Sequence, residues 1–276
     1  MIAPRSLGSR AVFLTLVAVA AALTVLPLVW MLATSLAPPG AAGRGALPLV
    51  GVAPTLEHYR TLFTRLDAAR AALNSTLVAS SVTALSLLLN SLAGYAFARL
   101  RFRGRDALFR LLLAGMIIPG QVAMLPLFLL LKAMGLVNTY AGVVVPGMAS
   151  VFGIVLVRQY VLSIPEALLD AARVDGAGEW RIYWSIVRPL CTPLLATLAV
   201  FSFLGAWNDF LWPLIILSDA ELYTLPVALA NLLGEHVQDA ELMMAGAVVT
   251  VVPVIVVFLA LQRYYIAGIL RGGLKG

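Results

Sequence analysis

Charge is what this sequence has least of. Only 12% of its 276 residues are Asp, Glu, Lys or Arg, about half the roughly 25% of a soluble globular domain. The single cysteine, Cys191, excludes an intrachain disulfide and a cysteine-built metal cluster. With only His58 and His236 there is no H-E-x-x-H pair, no clustered set of metal ligands and no histidine relay. No nucleophile with a matched base, and no paired acids, stand out to build an intramembrane enzyme. A G-x-x-x-x-G-K-[ST] loop is missing as well, so this chain does not hydrolyse ATP by itself. The net charge of +6 is no argument for nucleic acid, because the basic residues border apolar runs and are not interleaved with exposed aromatics.

What is present is hydrophobic length. Apolar residues make up 62% of the chain, mean hydropathy is +0.98, and several runs exceed the roughly 20 residues that span a bilayer core as helix. Strand-type alternation is absent, and helix satisfies every backbone group within its own segment, as lipid demands. The fold class is therefore all-α: a polytopic membrane protein with six transmembrane helices, near 12–36, 73–97, 107–131, 140–160, 193–217 and 244–261. The first run is longer than the roughly 7–15 apolar residues of a signal peptide and reads as a retained span.

Lysine and arginine set the orientation. With the amino terminus inside, fourteen of the 19 fall in inner segments, including Arg99, Arg101, Arg103, Arg105 and Arg110, and five (Arg44, Arg60, Arg65, Arg70, Lys132) fall outside. Both termini and the segment between spans four and five are thus expected in the cytoplasm.

The first outer segment opens on APPGAAGRGALP and continues as PTLEHYRTLFTRL, where Leu56, Tyr59, Leu62, Phe63 and Leu66 share one helical face. His58, alone there, reads as structural. In the second span Thr76, Ser80, Thr83, Asn90 and Gly94 fall on one side, either as a close-packing face or as the wall of a hydrophilic pathway. Pro119, Gly120 and Pro126 predict a kink in the third span, which sets Gln121 beside freed backbone groups. The fifth span ends AWNDFLWP. Its Asp209 is an acidic residue within a span, a functional candidate by default, flanked by Trp207 and Trp212, which read as interfacial anchors, and next to Asn208. Asn90, Gln121, Asn208 and Asp209 are the candidate pathway residues, with Trp207 and Tyr95 as possible stacking surfaces.

One stretch cannot sit in lipid: PEALLDAARVDGAGEWRIYWSIVRP, residues 165–189. Ser163 and Glu166 have capping-box spacing, with Pro165 in the first turn, so a helix is expected from Ile164 to about Val174. Asp175-Gly176 signals a break, and a second helix is expected from Ala177 to Val187. Glu166 and Asp170 share a face, and Ala171 and Ala172 leave room for another protein to approach. The segment reads as a helix–turn–helix elbow suited to a groove on a partner.

DAARVDG, nine residues, then IVRP resembles the EAA signature of ABC importer membrane subunits, in which EAA, three residues and Gly are followed after nine residues by I-x-L-P. Asp170-Ala171-Ala172, Gly176, Ile186 and Pro189 fall in register; Asp170 stands where Glu is usual and Arg188 where Leu is usual. AGYAFARLRFRGRD, LGAWNDFLWPLI and the end of the chain from LMMAGAVVTVVP onward resemble the carbohydrate-type permeases, closest to the shorter, six-span subunit of maltose-type importers. The resemblance covers the chain from Asn74 onward. It implies the type I ABC importer transmembrane fold, with a first span and external loop over 1–72, a transmembrane domain over 73–263 carrying the coupling loop at 161–189, and a cytoplasmic tail over 264–276. It also implies a bacterial or archaeal plasma membrane, a second permease, two ABC ATPase subunits that bind and hydrolyse the ATP, and an extracytoplasmic solute-binding protein. Coupling would fall to Glu166, Asp170, Ala171, Ala172, Asp175, Gly176 and Pro189, and the cargo would be a sugar or oligosaccharide. A self-sufficient secondary transporter, and an importer of a polyol phosphate, are the alternatives.

Overall fold

A computed structural model describes residues 7–41, 53–65, 67–235 and 239–273. Residues 42–52 of the first outer segment, Leu66, His236 and the last three residues of the basic tail lie outside the described residues. Every regular element described is helical. The elements are α1 (Leu7–Ser35), α2 (Glu57–Arg65), α3 (Ala68–Arg99), α4 (Arg105–Gly115), α5 (Gly120–Ala133), α6 (Tyr140–Gly147), α7 (Val151–Leu162), α8 (Glu166–Val174), α9 (Glu179–Ile182), a π turn (Tyr183–Val187), α10 (Arg188–Leu190), α11 (Thr192–Trp207), α12 (Leu211–Ile216), a 3-10 turn (Ala220–Leu222), α13 (Leu225–Glu235) and α14 (Ala240–Gly273).

Among the described residues three helices are long and apolar enough to cross a bilayer unaided: α1, α3 and the first 21 residues of α14. Three further candidates are bent pairs, α4 with α5 (108°), α6 with α7 (41°), and α9–α10 with α11 (77°). Taking each bent pair as one broken span gives up to six candidate spans, the number read from hydropathy.

The breaks have chemical causes. Pro119 has no N–H to continue α4, and the chain re-enters helix at Gly120, directly after it. Pro126, by contrast, sits inside α5 without interrupting it. The expectation of one continuous helix over 140–160 is corrected, because α6 ends at Gly147 and α7 restarts at Val151. Pro146 cannot bond the carbonyl four residues back, and that carbonyl, of Gly142, accepts the Trp212 indole N–H at 3.1 Å instead. Ser150 then caps α7, its Oγ accepting from the Gly153 N–H at 3.0 Å. The fifth span also ends earlier than expected, at Trp207, with α12 as a separate short helix.

The chain divides into two compact units, Ala69–Ala228 with Pro253–Gly276, and Met1–Ala68 with Leu229–Val252. In the second of these, Leu62, Ala68, Leu242 and Ala245 form a small core. The expected face of α2 is revised there: Leu62 and His58 are buried, whereas Leu56 and Phe63 are exposed. His58 is structural, its Nε2 lying 2.9 Å from the Ala37 carbonyl.

In the larger unit α3 is the organising element. Its buried polar row is Asn74, Ser75, Ser86, Asn90 and Ser91, whereas Thr76 and Thr83 donate to their own helix, at Ala72 and Ala79. Gly94 marks a close approach to α7, since a Cβ there would lie 2.6 Å from Val157 Cγ1. At one end of α3 the Asn74 amide donates to the carbonyls of Glu221 and Tyr223 (2.9 and 3.0 Å) and accepts from the Tyr140 hydroxyl (2.7 Å). At the other end lies the elbow.

Candidate functional site

The elbow helix begins two residues later than capping chemistry suggests, at Glu166 and not at Ile164. Ser163 does not cap α8; its hydroxyl donates to the Tyr160 carbonyl at 2.7 Å and closes α7. Pro165, extended at ψ 131°, precedes the first helical residue, Glu166. The competing carbonyl wins because α7 has unspent acceptors at its end.

The turn after α8 is a Schellman closure. The Gly176 N–H donates to the Arg173 carbonyl (3.0 Å) and the Ala177 N–H to the Ala172 carbonyl (2.9 Å), with Gly176 left-handed at φ +81°. No atom lies within 4 Å of a Cβ built there, so the penalty of a side chain is purely conformational. Gly176→Ala is expected to cost about 1–2 kcal/mol, read as a small drop in the thermal transition of the purified chain; an unchanged transition would mean that the turn is not held in this conformation.

Beyond the turn the second helix is not the continuous Ala177–Val187 element expected. It is one turn of α9, a π turn and α10, running through Pro189 to Leu190. Leu169 of α8 and Ile182, Tyr183 and Val187 of this second arm are buried in one cluster with Tyr95 and Ala98 of α3, Val157 and Val161 of α7, and Leu198 of α11. Burying a side chain of this size contributes about 2 kcal/mol, so the elbow is fixed to three spans and does not hang from them.

Polar links add direction to that anchorage. The Arg173 Nε donates to Glu179 at 2.9 Å and its Nη1 to Asp170 at 2.7 Å. Glu179 in turn accepts from the Tyr95 hydroxyl, so α8, α9 and α3 are joined in series. Arg173 and its partners are all about a third or more exposed, and such pairs contribute about 1 kcal/mol or less; what they set is geometry. The bonds to Glu179 and then Asp170 hold the Arg173 pKa above its already high ordinary value. Arg99, at the end of α3, donates to the carbonyls of Val161 (3.0 Å), Leu162 (3.4 Å) and Ile164, and lies 3.9 Å from Glu166.

What remains outward is small and partly apolar. Ala171, Asp175, Gly176 and Pro189 are exposed, together with Leu168, Trp180 and Val174, the last at 88%. Ala172 differs from its neighbour: it is half-buried against the anchoring cluster. The two alanines, about 100° apart around the helix, therefore differ in surroundings: Ala171 is bare and Ala172 touches the anchorage.

The second feature is a cavity of about 460 Å³ walled by α3, α5, the broken α6–α7 pair and α11. Its polar lining is Ser86, Ser150, Ser202 and Asp209. Asp209 sits in the break between α11 and α12, and its Oδ1 accepts from the Trp212 N–H at 3.4 Å. Asn90 is fully buried behind the wall. Its Oδ1 accepts from the Ser150 N–H (2.9 Å), and its Nδ2 donates to Ser86 (2.7 Å). Gln121 is exposed beside the lining residue Gly120, and Asn208 is exposed with its amide spent on the Leu204 carbonyl at 2.9 Å. Of the four sequence-selected pathway residues, only Asp209 lines this cavity.

The tryptophans are not the interfacial anchors they resembled. Trp207 is buried and stacked on Phe203 at 5.7 Å, and Trp212 is buried with its N–H on Gly142. Tyr95 belongs to the elbow anchorage. The three cavity serines were overlooked. Ser86 lies three residues after Thr83 and four before Asn90, so the spacing that selected those two also pointed to it.

Comparison with known proteins agrees with this architecture. The model of the family described as binding-protein-dependent transport system inner membrane component matches residues 90–271. The arabinooligosaccharides transport system permease protein AraQ of Halalkalibacterium halodurans is 42% identical over 203 residues, covering 74% of this chain and 73% of that protein. The lactose transport system permease protein LacG of Rhizobium radiobacter is 32% identical over 256 residues, 93% of each. Among solved structures, a chain of a bacterial ABC transporter involved in import of the acidic polysaccharide alginate superposes with a TM-score of 0.81 at 25% identity, covering 96% of this chain and 100% of that one.

Proposed function

Since the chain belongs to the family of binding-protein-dependent transport system inner membrane components, a family of multi-pass transport permeases, we propose that it is one of two permeases of an ABC importer for sugars or oligosaccharides. Two ATPase subunits supply the energy and an extracytoplasmic binding protein delivers the cargo. Both termini and the elbow face the cytoplasm. The transmembrane domain runs over 73–263, after a first span and external loop and before a short tail.

The observation that carries this reading is the elbow: a rigid helix pair, bolted to α3, α7 and α11, with a small-residue crest left bare. Glu166, Asp170, Ala171, Ala172, Asp175, Gly176 and Pro189 form the coupling segment, some as crest and some as frame. ATP-driven closure of the ATPase pair moves the elbow as a lever, and the anchoring cluster passes that movement to the spans. The breaks in α4–α5, α6–α7 and α9–α11 are where the spans change direction. Asn90, Gln121, Asn208 and Asp209 belong to the pathway region, Asn90 as a brace and Asp209 at the cavity. A mostly apolar wall set with three serine hydroxyls and one carboxylate suits a neutral solute that offers both hydroxyls and apolar faces, in keeping with the arabinooligosaccharide and lactose permeases among its relatives.

The test is to tag this chain, express it with its chromosomal neighbours, and assay what co-purifies. The expected result is an ATPase and a second permease, with ATP hydrolysis stimulated by a sugar-loaded binding protein. A chain that purifies alone and moves solute in liposomes without ATP refutes the importer reading.

A further inference from the structure

A second cavity, of about 400 Å³, opens between α3 and the start of α11. Its inner part is walled by Ala84, Leu88 and Ala199, and its mouth, at the elbow end, by Trp184, Arg188 and Thr192. The groove is thus largely apolar, apart from the Ser91 and Tyr183 hydroxyls, which bond each other at 2.6 Å, and cationic at one end. From Thr192 to Ala199 the wall rises seven residues, about 10 Å of helix, enough for several methylenes of an acyl chain.

The mouth holds unspent donors. The Arg188 guanidinium stacks 4.9 Å over the Trp184 ring, yet among the described residues no carboxylate pairs with it, unlike Arg70, Arg99, Arg105 and Arg173. The Trp184 indole N–H and the Thr192 hydroxyl have no hydrogen-bond partner among the described residues either. Trp184, Arg188 and Thr192 come from the π turn, α10 and the first residue of α11, and all three line this mouth. Arg188 is also the position where this chain carries a cation in place of an apolar residue of the pattern it resembles.

We propose that this groove binds an anionic phospholipid, one acyl chain lying between α3 and α11 and the phosphate held by Arg188 with the Trp184 and Thr192 donors. Basic pockets at the ends of membrane helices suit anionic headgroups, and a guanidinium stacked on an aromatic ring is well placed for phosphate oxygens. Coupling and cargo play no part in the inference, which needs only that α3 and α11 lie in the membrane.

The test is native mass spectrometry of the chain, with whatever subunits accompany it, released from nanodiscs of equal phosphatidylglycerol and phosphatidylcholine. Preferential retention of phosphatidylglycerol is expected. Arg188→Leu should reduce it about tenfold, the equivalent of one charge-assisted contact, and Ala199→Leu should reduce it by filling the groove while leaving Arg188 in place. Inorganic phosphate should fail to displace the lipid. Equal retention of the two lipids, retention unaffected by both variants, displacement by phosphate alone, or cross-linking of Thr192→Cys to a companion subunit across the groove would each overturn the proposal. Retention is read without ATP or cargo, so it stands or falls separately from transport.

Discussion

Ala171→Arg is expected to leave the chain folded and membrane-inserted while lowering transport roughly a hundredfold, the effect of blocking the centre of a protein interface. Ala171 lies on the crest of α8, exposed beside Val174 and turned away from the buried Leu169. A long cation there projects from the exposed crest into the space where an ATPase would seat. Ala172→Arg is the contrasting variant. That residue packs against the cluster holding Tyr95 and Tyr183, so its enlargement forces α8 off its anchorage and lowers stability as well. Transport and ATPase co-purification, measured with helicity and membrane insertion for both variants, separate the two. If Ala171→Arg transports normally with its ATPase attached, the crest is not the docking surface.

The other large effect is expected at Asn90. Asn90→Leu removes the acceptor of the Ser150 N–H and the donor to Ser86, leaving a backbone N–H with no partner at a break in a membrane helix. A buried donor abandoned in this way costs about 1–3 kcal/mol. Gly153→Ala reaches the same joint by another route, since its Cβ would come within 2.8 Å of both Asn90 Cγ and Ser150 Oγ. Both variants should lower the thermal transition of the purified chain and depress transport, whereas Asn208→Leu, which removes only a bond within its own helix turn, should leave the thermal transition in place. An Asn90→Leu chain with an unshifted transition would mean that the break is held by other contacts.

How much of this was legible in the sequence depended on the range of the interaction involved. Hydropathy gave six spans because lipid imposes a length on each segment separately, and Pro119 announced its break for an equally local reason. The break at Pro146 needed more. A proline within an apolar run is compatible with a continuous helix, as Pro126 is, and what distinguishes Pro146 is Trp212 and Asn90, distant residues that satisfy the groups it frees. The capping-box pattern at Ser163 and Glu166 misled because the same hydroxyl could serve the end of α7 or the start of α8, and sequence spacing does not decide between them. The elbow itself was visible as charge among apolar runs. Its links to Tyr95 and Arg99 were not, because they join residues more than 60 positions apart.

Arg99 carries one more consequence. It gathers three carbonyls, those of Val161 and Leu162 in α7 and of Ile164 just beyond it. All three bonds run from one atom, Nη2, at the tip of the side chain, so a single point of contact clasps the last turn of α7 and the start of the elbow, and a shorter side chain there would release both together.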